Sequence, residues 1–219
     1  MKKILFDWNG TLLDDLDYTF QTVTKVQQSY NIKPLADVEA YKSVFGFPIK
    51  DYYERAGFDF SKIDWDECGH RFMDAYVNGF NKTRLNPQTL TVLRQAKEAN
   101  VGCYVLSATK LDLLKAQVES FPELNGLIDG VYGIGDIFAS SKAGAAREFL
   151  STCLCWDEIY MVGDTEHDLE CANKIGARCI LYDGGHQSRQ ILEKHHAAIV
   201  SSLLEAWECI NAGSHHSIQ

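Results

Sequence analysis

Apolar residues fall into two kinds of run along the chain. Stretches apolar at nearly every position recur at ILF (4–6), VGCYVL (101–106), DGVYG (129–133), IYMVG (159–163) and ARCILY (177–182). They lack the in–out alternation of a half-solvated strand and predict strands buried on both faces of a parallel sheet. Between the later runs lie stretches of helical period, KLDLLKAQVES, KAGAAREFL and LECANKIGA. The alternation predicts an α/β fold built on an open, doubly wound parallel sheet.

Residues 16–84 break that rhythm. Leu16, Phe20, Val23, Val26 and Tyr30 share one helical face. Leu35, Val38 and Phe45, then Ile49, Tyr52 and Tyr53, predict two short helices, and Trp65, Cys68, Phe72, Tyr76 and Phe80 give a further stripe. Such aromatic stripes are first of all core. Pro87 suits the first turn of the next helix. The expected organisation is an α/β core from residues 1–15 and 85–219, interrupted by a helical insert, 16–84, with no strand of its own. The tail from Gly213 reads as frayed.

Composition narrows the function classes. The 219 residues are 46% hydrophobic and 23% charged, which fits an ordinary globular chain and not a disordered or fibrous one. A formal charge of −9 disfavours nucleic acid and anionic membrane as partners. It also means that any anion site must supply its own local cations. No apolar run approaches the ~20 residues of a membrane span, and the polar turn straight after ILF leaves no room for a signal peptide. Seven cysteines without framework spacing read as core thiols in a reducing, cytoplasmic setting. Cys153-x-Cys155 has no matching second pair, so a structural metal clip is not expected there.

The candidate chemistry sits at strand ends. In open α/β sheets, ligands bind beyond the carboxyl ends of strands, near the switch in strand order. Asp7 follows ILF, Ser107 follows VGCYVL, Lys142 opens a helix, and Asp164 follows IYMVG with Asp168 four residues later. A single strand-end Asp is often only a cap or turn residue. Several such coincidences in one chain point instead to a shared site.

DWNGTLLDD, SATK, the lysine of SSKAGAAREFL and VGDTEHDLECA together resemble the four ordered motifs of the haloacid dehalogenase superfamily. The insert resembles the cap of its phosphoglycolate phosphatase-like members. The resemblance implies a hydrolase that uses Mg²⁺, held by Asp7, Asp164, Asp168 and the Asn9 backbone carbonyl. Asp7 would be the nucleophile that forms an aspartyl-phosphate, and Ser107, Ala108 and Lys142 would bind the phosphate. Charge counting agrees, because Mg²⁺ and Lys142 bring three positive charges against three carboxylates. The implied partner is a small phosphorylated substrate in a site closed by the cap, with contacts from FGFPIKDYY (45–53). Lys50 and Arg55 in that region read as solvated helix charges before anion contacts. The dehalogenase branch fits less well, since it does not use the acid cluster. The phosphonate-cleaving branch needs a cap lysine, and Lys42, Lys50 and Lys62 read as surface charge.

Asn9 departs from the family pattern, which places there an Asp that protonates the leaving oxygen and then deprotonates water. An amide hydrogen-bonds but transfers no proton, and losing that help costs ~10²–10⁴ in rate. Three readings follow: a phosphatase that is slow or restricted to leaving groups needing little protonation; a phosphoenzyme that persists in a phosphate-transfer or regulatory role; or a silent binding module. The costly carboxylate cluster speaks against the last. Glu166 or His167 could stand in as proton carriers, although both also read as plain loop residues. Asn9-Gly10 is besides a sequence prone to deamidation.

Overall fold

The structure is a computed structural model that describes residues 1–135 and 142–212; the tail from Gly213 lies outside the described residues. Six parallel strands form one sheet in the order β5-β4-β1-β6-β7-β8: β1 Lys2–Phe6, β4 Gly102–Lys110, β5 Gly130–Ile134, β6 Glu158–Gly163, β7 Arg178–Tyr182 and β8 Ala198–Val200. The doubly wound sheet expected from the sequence is therefore observed. β1 is central, with β4 on one side and β6 on the other, and that is where strand order reverses.

Both faces are buried because successive side chains of β1 point in opposite directions. Ile4 and Phe6 join a cluster that includes Val92, Leu93 and Ala96 of α5 (Thr89–Glu98) and Leu203, Ala206 and Trp207 of α10 (Leu203–Ala212). Leu5 faces the other layer, with Ala146 and Phe149 of α7 (Ala143–Leu150) and Cys171 and Ala172 of α8 (Glu166–Ile175). The helices α6 (Leu111–Glu119) and α9 (Arg189–Leu192) also belong to this part.

The segment between β1 and α5 carries α1 (Leu16–Ser29), α2 (Val38–Val44), α3 (Ile49–Arg55) and α4 (Trp65–Asn78). Asp37 and Asp64 cap α2 and α4 by accepting from Ala40 N and Glu67 N. These helices have a core of their own, with Val23, Val26, Tyr41, Tyr52, Tyr53, Phe58 and Cys68 buried. At the root of the segment, β2 (Leu13–Asp14) pairs antiparallel with β3 (Arg84–Leu85), and Arg84 bridges Asp14 at 2.9 Å. The helices are tied to the sheet again through the loop after β7. Lys42 Nζ donates to the Asp183 carbonyl, Ser188 N donates to the Lys42 carbonyl, and Gln187 Nε2 donates to the Phe45 carbonyl.

Three details differ from expectation. β4 does not end at Leu106 but runs on through Ser107 to Lys110, with its register against β5 shifting on the way, so Ser107 lies within a strand. Pro87 stands before the helix, because the Asn86 side chain accepts from Gln88 N and forms a separate turn ahead of α5. Strands β2, β3 and β8 have two or three residues each, too few to show a period.

Candidate active site

Strand register brings the site together. Phe6 lies opposite Val105 on one side and Val162 on the other, so the next residues of three strands emerge side by side. Asp7 is anchored by its own amide, which donates to the Val162 carbonyl at 2.8 Å. Asp164 stands just before α8, Thr165 caps that helix, and Asp168 is its third residue. Asp164 is thus outside the first helical turn, and the two acids meet through the cap. Asp168 Oδ2 accepts from Thr165 N (3.0 Å) and Thr165 Oγ1 (2.8 Å), which fixes its rotamer, and the Asp168 amide facing the Thr165 side chain closes a capping box.

Carboxylate oxygens of Asp7, Asp164 and Asp168 lie within 4.8 Å of one another, and all three residues are buried. Lys142, 1% exposed at the start of α7, donates to Asp168 Oδ1 at 2.6 Å and lies 2.8 Å from Asp7 Oδ2. Asp164 accepts from Thr11 Oγ1 (3.1 Å) and from the His186 amide (2.6 Å). Glycine makes this closeness possible. A Cβ at Gly10, whose φ is +71°, would lie 2.4 Å from Asp164 Oδ2, and one at Gly185 would lie 2.2 Å from it.

One lysine cannot balance three buried carboxylates, and the titration behaviour records the deficit. Burial and then the Asp168 charge push Asp7 up to about 8, against the pull of Lys142. Burial also raises Asp164, to about 6. Burial pushes Asp168 the same way, but the Lys142 charge and hydrogen bonds from Lys142 and Thr165 leave it below the ordinary value. A cation in the cluster would relieve the burial and mutual repulsion that raise Asp7 and Asp164. Three hard oxygen donors at this spacing, backed by glycine, fit a divalent ion such as Mg²⁺.

Asn9 belongs to a second network that the sequence did not disclose. Its Nδ2 donates to Asp15 Oδ2 (2.9 Å) and Tyr76 Oη (2.8 Å), and its Oδ1 accepts from Thr109 Oγ1 (3.0 Å). Asp15, 1% exposed, also accepts from Tyr76 Oη, Thr19 Oγ1 and Gly10 N, and His186 Nε2 lies 3.2 Å away. Burial opposes ionisation of Asp15, yet the His186 charge and these hydrogen bonds hold it down to about 2. Burial likewise opposes protonation of His186, which Asp15 outweighs, leaving the imidazole above its usual value; Tyr41 Oη sits 2.9 Å from its Nδ1. The Gly10 nitrogen, which deamidation of Asn9 would require as nucleophile, is committed to Asp15.

A cavity of about 180 Å³ opens over Asp7. Ser107, Ala108 and Lys142 line its floor with Asp7, Asn9 and Asp164. Ser107 Oγ both donates to Thr109 Oγ1 and accepts from Thr109 N. The helices supply the roof, including Phe45, Phe47, Tyr52 and Phe72. Glu166 and His167 are not among the lining residues. Glu166 lies 3.2 Å from His195 Nε2, and His167 packs its ring 4.1 Å from that of Phe47, burial holding it down to about 4. Arg55 Nε is spent on the Val44 carbonyl, Lys50 lies over the Phe60 ring, and Lys62 pairs with Asp59. The paired acids Asp14-Asp15 are the one sequence clue to the second network; His186 has none, since a loop places it.

A model of the haloacid dehalogenase-like hydrolase family matches residues 4–182. Among solved structures, the chain is similar to a predicted phosphatase from Clostridium acetobutylicum, with 21% identity, a TM-score of 0.75, and 96% of this chain and 98% of that one covered. It is similar to a predicted phosphoglycolate phosphatase from Haemophilus somnus at 17% identity and TM-score 0.76, with 96% and 98% covered. Protein tyrosine kinase A of Mycobacterium tuberculosis is also similar, at 16% identity and TM-score 0.75, with 95% and 97% covered. At these identities the likeness is one of fold. No curated protein matches the chain in sequence.

Proposed function

The chain belongs to the haloacid dehalogenase-like hydrolases, and on that footing we propose that it is a Mg²⁺-dependent phosphohydrolase acting through Asp7. The observation that carries this reading is Lys142 set between Asp7 and Asp168 at the floor of a cavity, with Asp164 completing the acid cluster. Asp7, Asp164, Asp168 and the Asn9 backbone carbonyl would hold the ion. Bound Mg²⁺ would supply two positive charges that keep all three carboxylates ionised and neutralise charge on the phosphoryl oxygens.

Asp7 then attacks phosphorus, the bond to the leaving oxygen breaks, and the phosphoryl group rests on the Asp7 carboxylate. Lys142 orients Asp7 and spreads the charge of the transferring group, and Ser107 and the Ala108 backbone bind its oxygens. Water afterwards attacks the aspartyl-phosphate and releases orthophosphate. The helical segment, residues 16–84, serves as a cap that excludes water from a small phosphorylated substrate, and residues 1–15 and 85–219 form the core. Among the described residues no helix is long and apolar enough to cross a membrane, and all seven thiols are free, in keeping with a cytoplasmic setting.

A second reading has a specific observation behind it. Both ends of the Asn9 side chain are engaged by Asp15, Tyr76 and Thr109, so it neither gives nor takes a proton, and the phosphoenzyme could outlast the leaving group. Release of phosphate from a panel of small esters, with Mg²⁺ and with chelator, on wild type, Asp7→Asn and Asp164→Asn, tests the reading. Turnover lost in each variant and in chelator supports it; turnover in Asp7→Asn equal to wild type contradicts it. A burst of leaving group ahead of slow phosphate release identifies the second form.

A further inference from the structure

The roof of the cavity carries information about the rest of the substrate. Phe45, Phe47, Ile49, Tyr52, Phe72 and Met73 face the space above the phosphate floor. Among the described residues, the lining cations are Lys142, Lys110 and His186. Lys142 is committed to Asp7 and Asp168, His186 to Asp15, and Lys110 is an exposed residue at the end of β4. None of these lining cations comes from the helical segment; its nearby Arg55 and Lys50 are turned to the Val44 carbonyl and the Phe60 ring. A carboxylate or second phosphate placed under this roof would lose its water and, apart from the exposed Lys110 at the strand end, meet only neutral donors such as the buried Tyr52 hydroxyl and Gln117 amide.

The floor restricts the leaving group independently. Asn9 has no proton to give, and its hydrogen bonds are already made within the protein. His186, the other proton-bearing group near it, is held by Asp15 and Tyr41, so the leaving oxygen departs with its electron pair unprotonated. A phenol, with a pKa of ~10 as in tyrosine, tolerates this, whereas an alkanol is far more basic.

We infer that the preferred substrate is a phosphate monoester of an uncharged aromatic alcohol: a flat apolar ring under the aromatic roof, joined to the phosphate through an acidic hydroxyl. The inference rests on the phosphohydrolase reading. Asp7 oxygen bonds to phosphorus as the P–O(aryl) bond breaks. The phenolate takes its proton from solvent after departure. Water then splits the aspartyl-phosphate, and its proton leaves to solvent.

Two sets of probes test this on the intact protein with Mg²⁺. Phenylphosphonate and phosphonoacetate, which cannot be hydrolysed at an ester, report binding by calorimetry. The expected result is phenylphosphonate tighter by at least about tenfold, an order that narrows in Met73→Lys, which places a cation under the roof from a half-buried helix position. Phenyl phosphate, benzyl phosphate and phosphoglycolate report turnover. In a single turnover, phenyl and benzyl esters are expected to release their alcohols at rates that differ by about a hundredfold or more, benzyl the slower, since no general acid levels the difference and the later hydrolysis of the shared phosphoenzyme does not enter. Phosphoglycolate follows with a higher KM. Tighter binding of phosphonoacetate, or equal single-turnover rates of alcohol release from the phenyl and benzyl esters, overturns the inference while leaving the phosphohydrolase intact. Hydrolysis of none of the three esters overturns the phosphohydrolase reading instead, and the substrate preference with it.

Discussion

Replacing Asn9 by Asp probes the point where this chain departs from its family. In the structure the Asn9 amide nitrogen lies 2.9 Å from Asp15 Oδ2, so the new carboxylate would face an existing one that is 1% exposed. Two unit charges ~4 Å apart repel by about 4 kcal/mol at an effective dielectric of ~20. His186, 3.2 Å from Asp15, offsets part of this while the partial burial of position 9 adds to it, so about 4 kcal/mol is the order of the effect. At about 1.36 kcal/mol per unit, that lifts the introduced carboxyl by ~3 units, to about 7. The sign follows directly. A folded-state pKa above the unfolded value of ~3.9 means the native state binds more protons, so stability is lost as pH rises through that window. Below about pH 4 the Asn9→Asp variant should match wild type, because a neutral carboxyl donates to Asp15 as the amide did. From about pH 4 to 7 the gap should open and then level off. Urea unfolding of both proteins across this range measures it. Over the same window the protonated carboxyl can serve the leaving oxygen. Turnover of alkyl phosphates near pH 6 should therefore rise at least about tenfold, below the usual ~10²–10⁴ because the proton is shared with Asp15, and the gain should fade above about pH 7. Parallel stability curves for the two proteins would refute the charge argument. A folded variant with no gain in turnover would show that another group already moves the proton.

Two other outcomes follow from the acid cluster. Because burial and Asp168 raise Asp7 to about 8 and burial raises Asp164 to about 6, the metal-free protein loses stability as pH rises from about 4 to 8; Mg²⁺ competes with those protons, so its thermal shift should be larger at pH 8 than at pH 6. Differential scanning calorimetry with and without Mg²⁺ checks this, and a shift independent of pH contradicts it. Gly10→Ala should cost at least about 2 kcal/mol in denaturant unfolding and abolish the Mg²⁺ shift, since a left-handed backbone there is combined with a Cβ 2.4 Å from Asp164 Oδ2 and 2.5 Å from the His186 ring.

The parts of the fold that were legible in the sequence are those whose signal is local. β1, β4 and β6 are apolar on both faces because both faces are buried, and that pattern survives without knowledge of their neighbours. Asp7, Lys142, Asp164 and Asp168 were legible because each lies next to an element boundary, and the sheet register then brings them together. What was not legible depends on long-range contact. Nothing local marks out Asp15 from Asp14; Tyr76 from α4, His186 from the loop after β7 and Asn9 converge on it. Ser107 was expected after its strand, because nothing local announces that β4 continues to Lys110 past a shift in register. The choice of Asn at position 9 likewise makes sense only beside Asp15, 2.9 Å away.

Transfer of phosphorus from substrate to Asp7 is the step on which the proposed chemistry depends most. Acid quenching during turnover of phenyl phosphate with Mg²⁺, followed by peptide mass spectrometry, reads this directly. The expected result is one phosphoryl group on the peptide holding Asp7, absent in Asp7→Asn and absent without Mg²⁺. Steady turnover with no phosphoryl group on Asp7, or with the label on another residue, would contradict it.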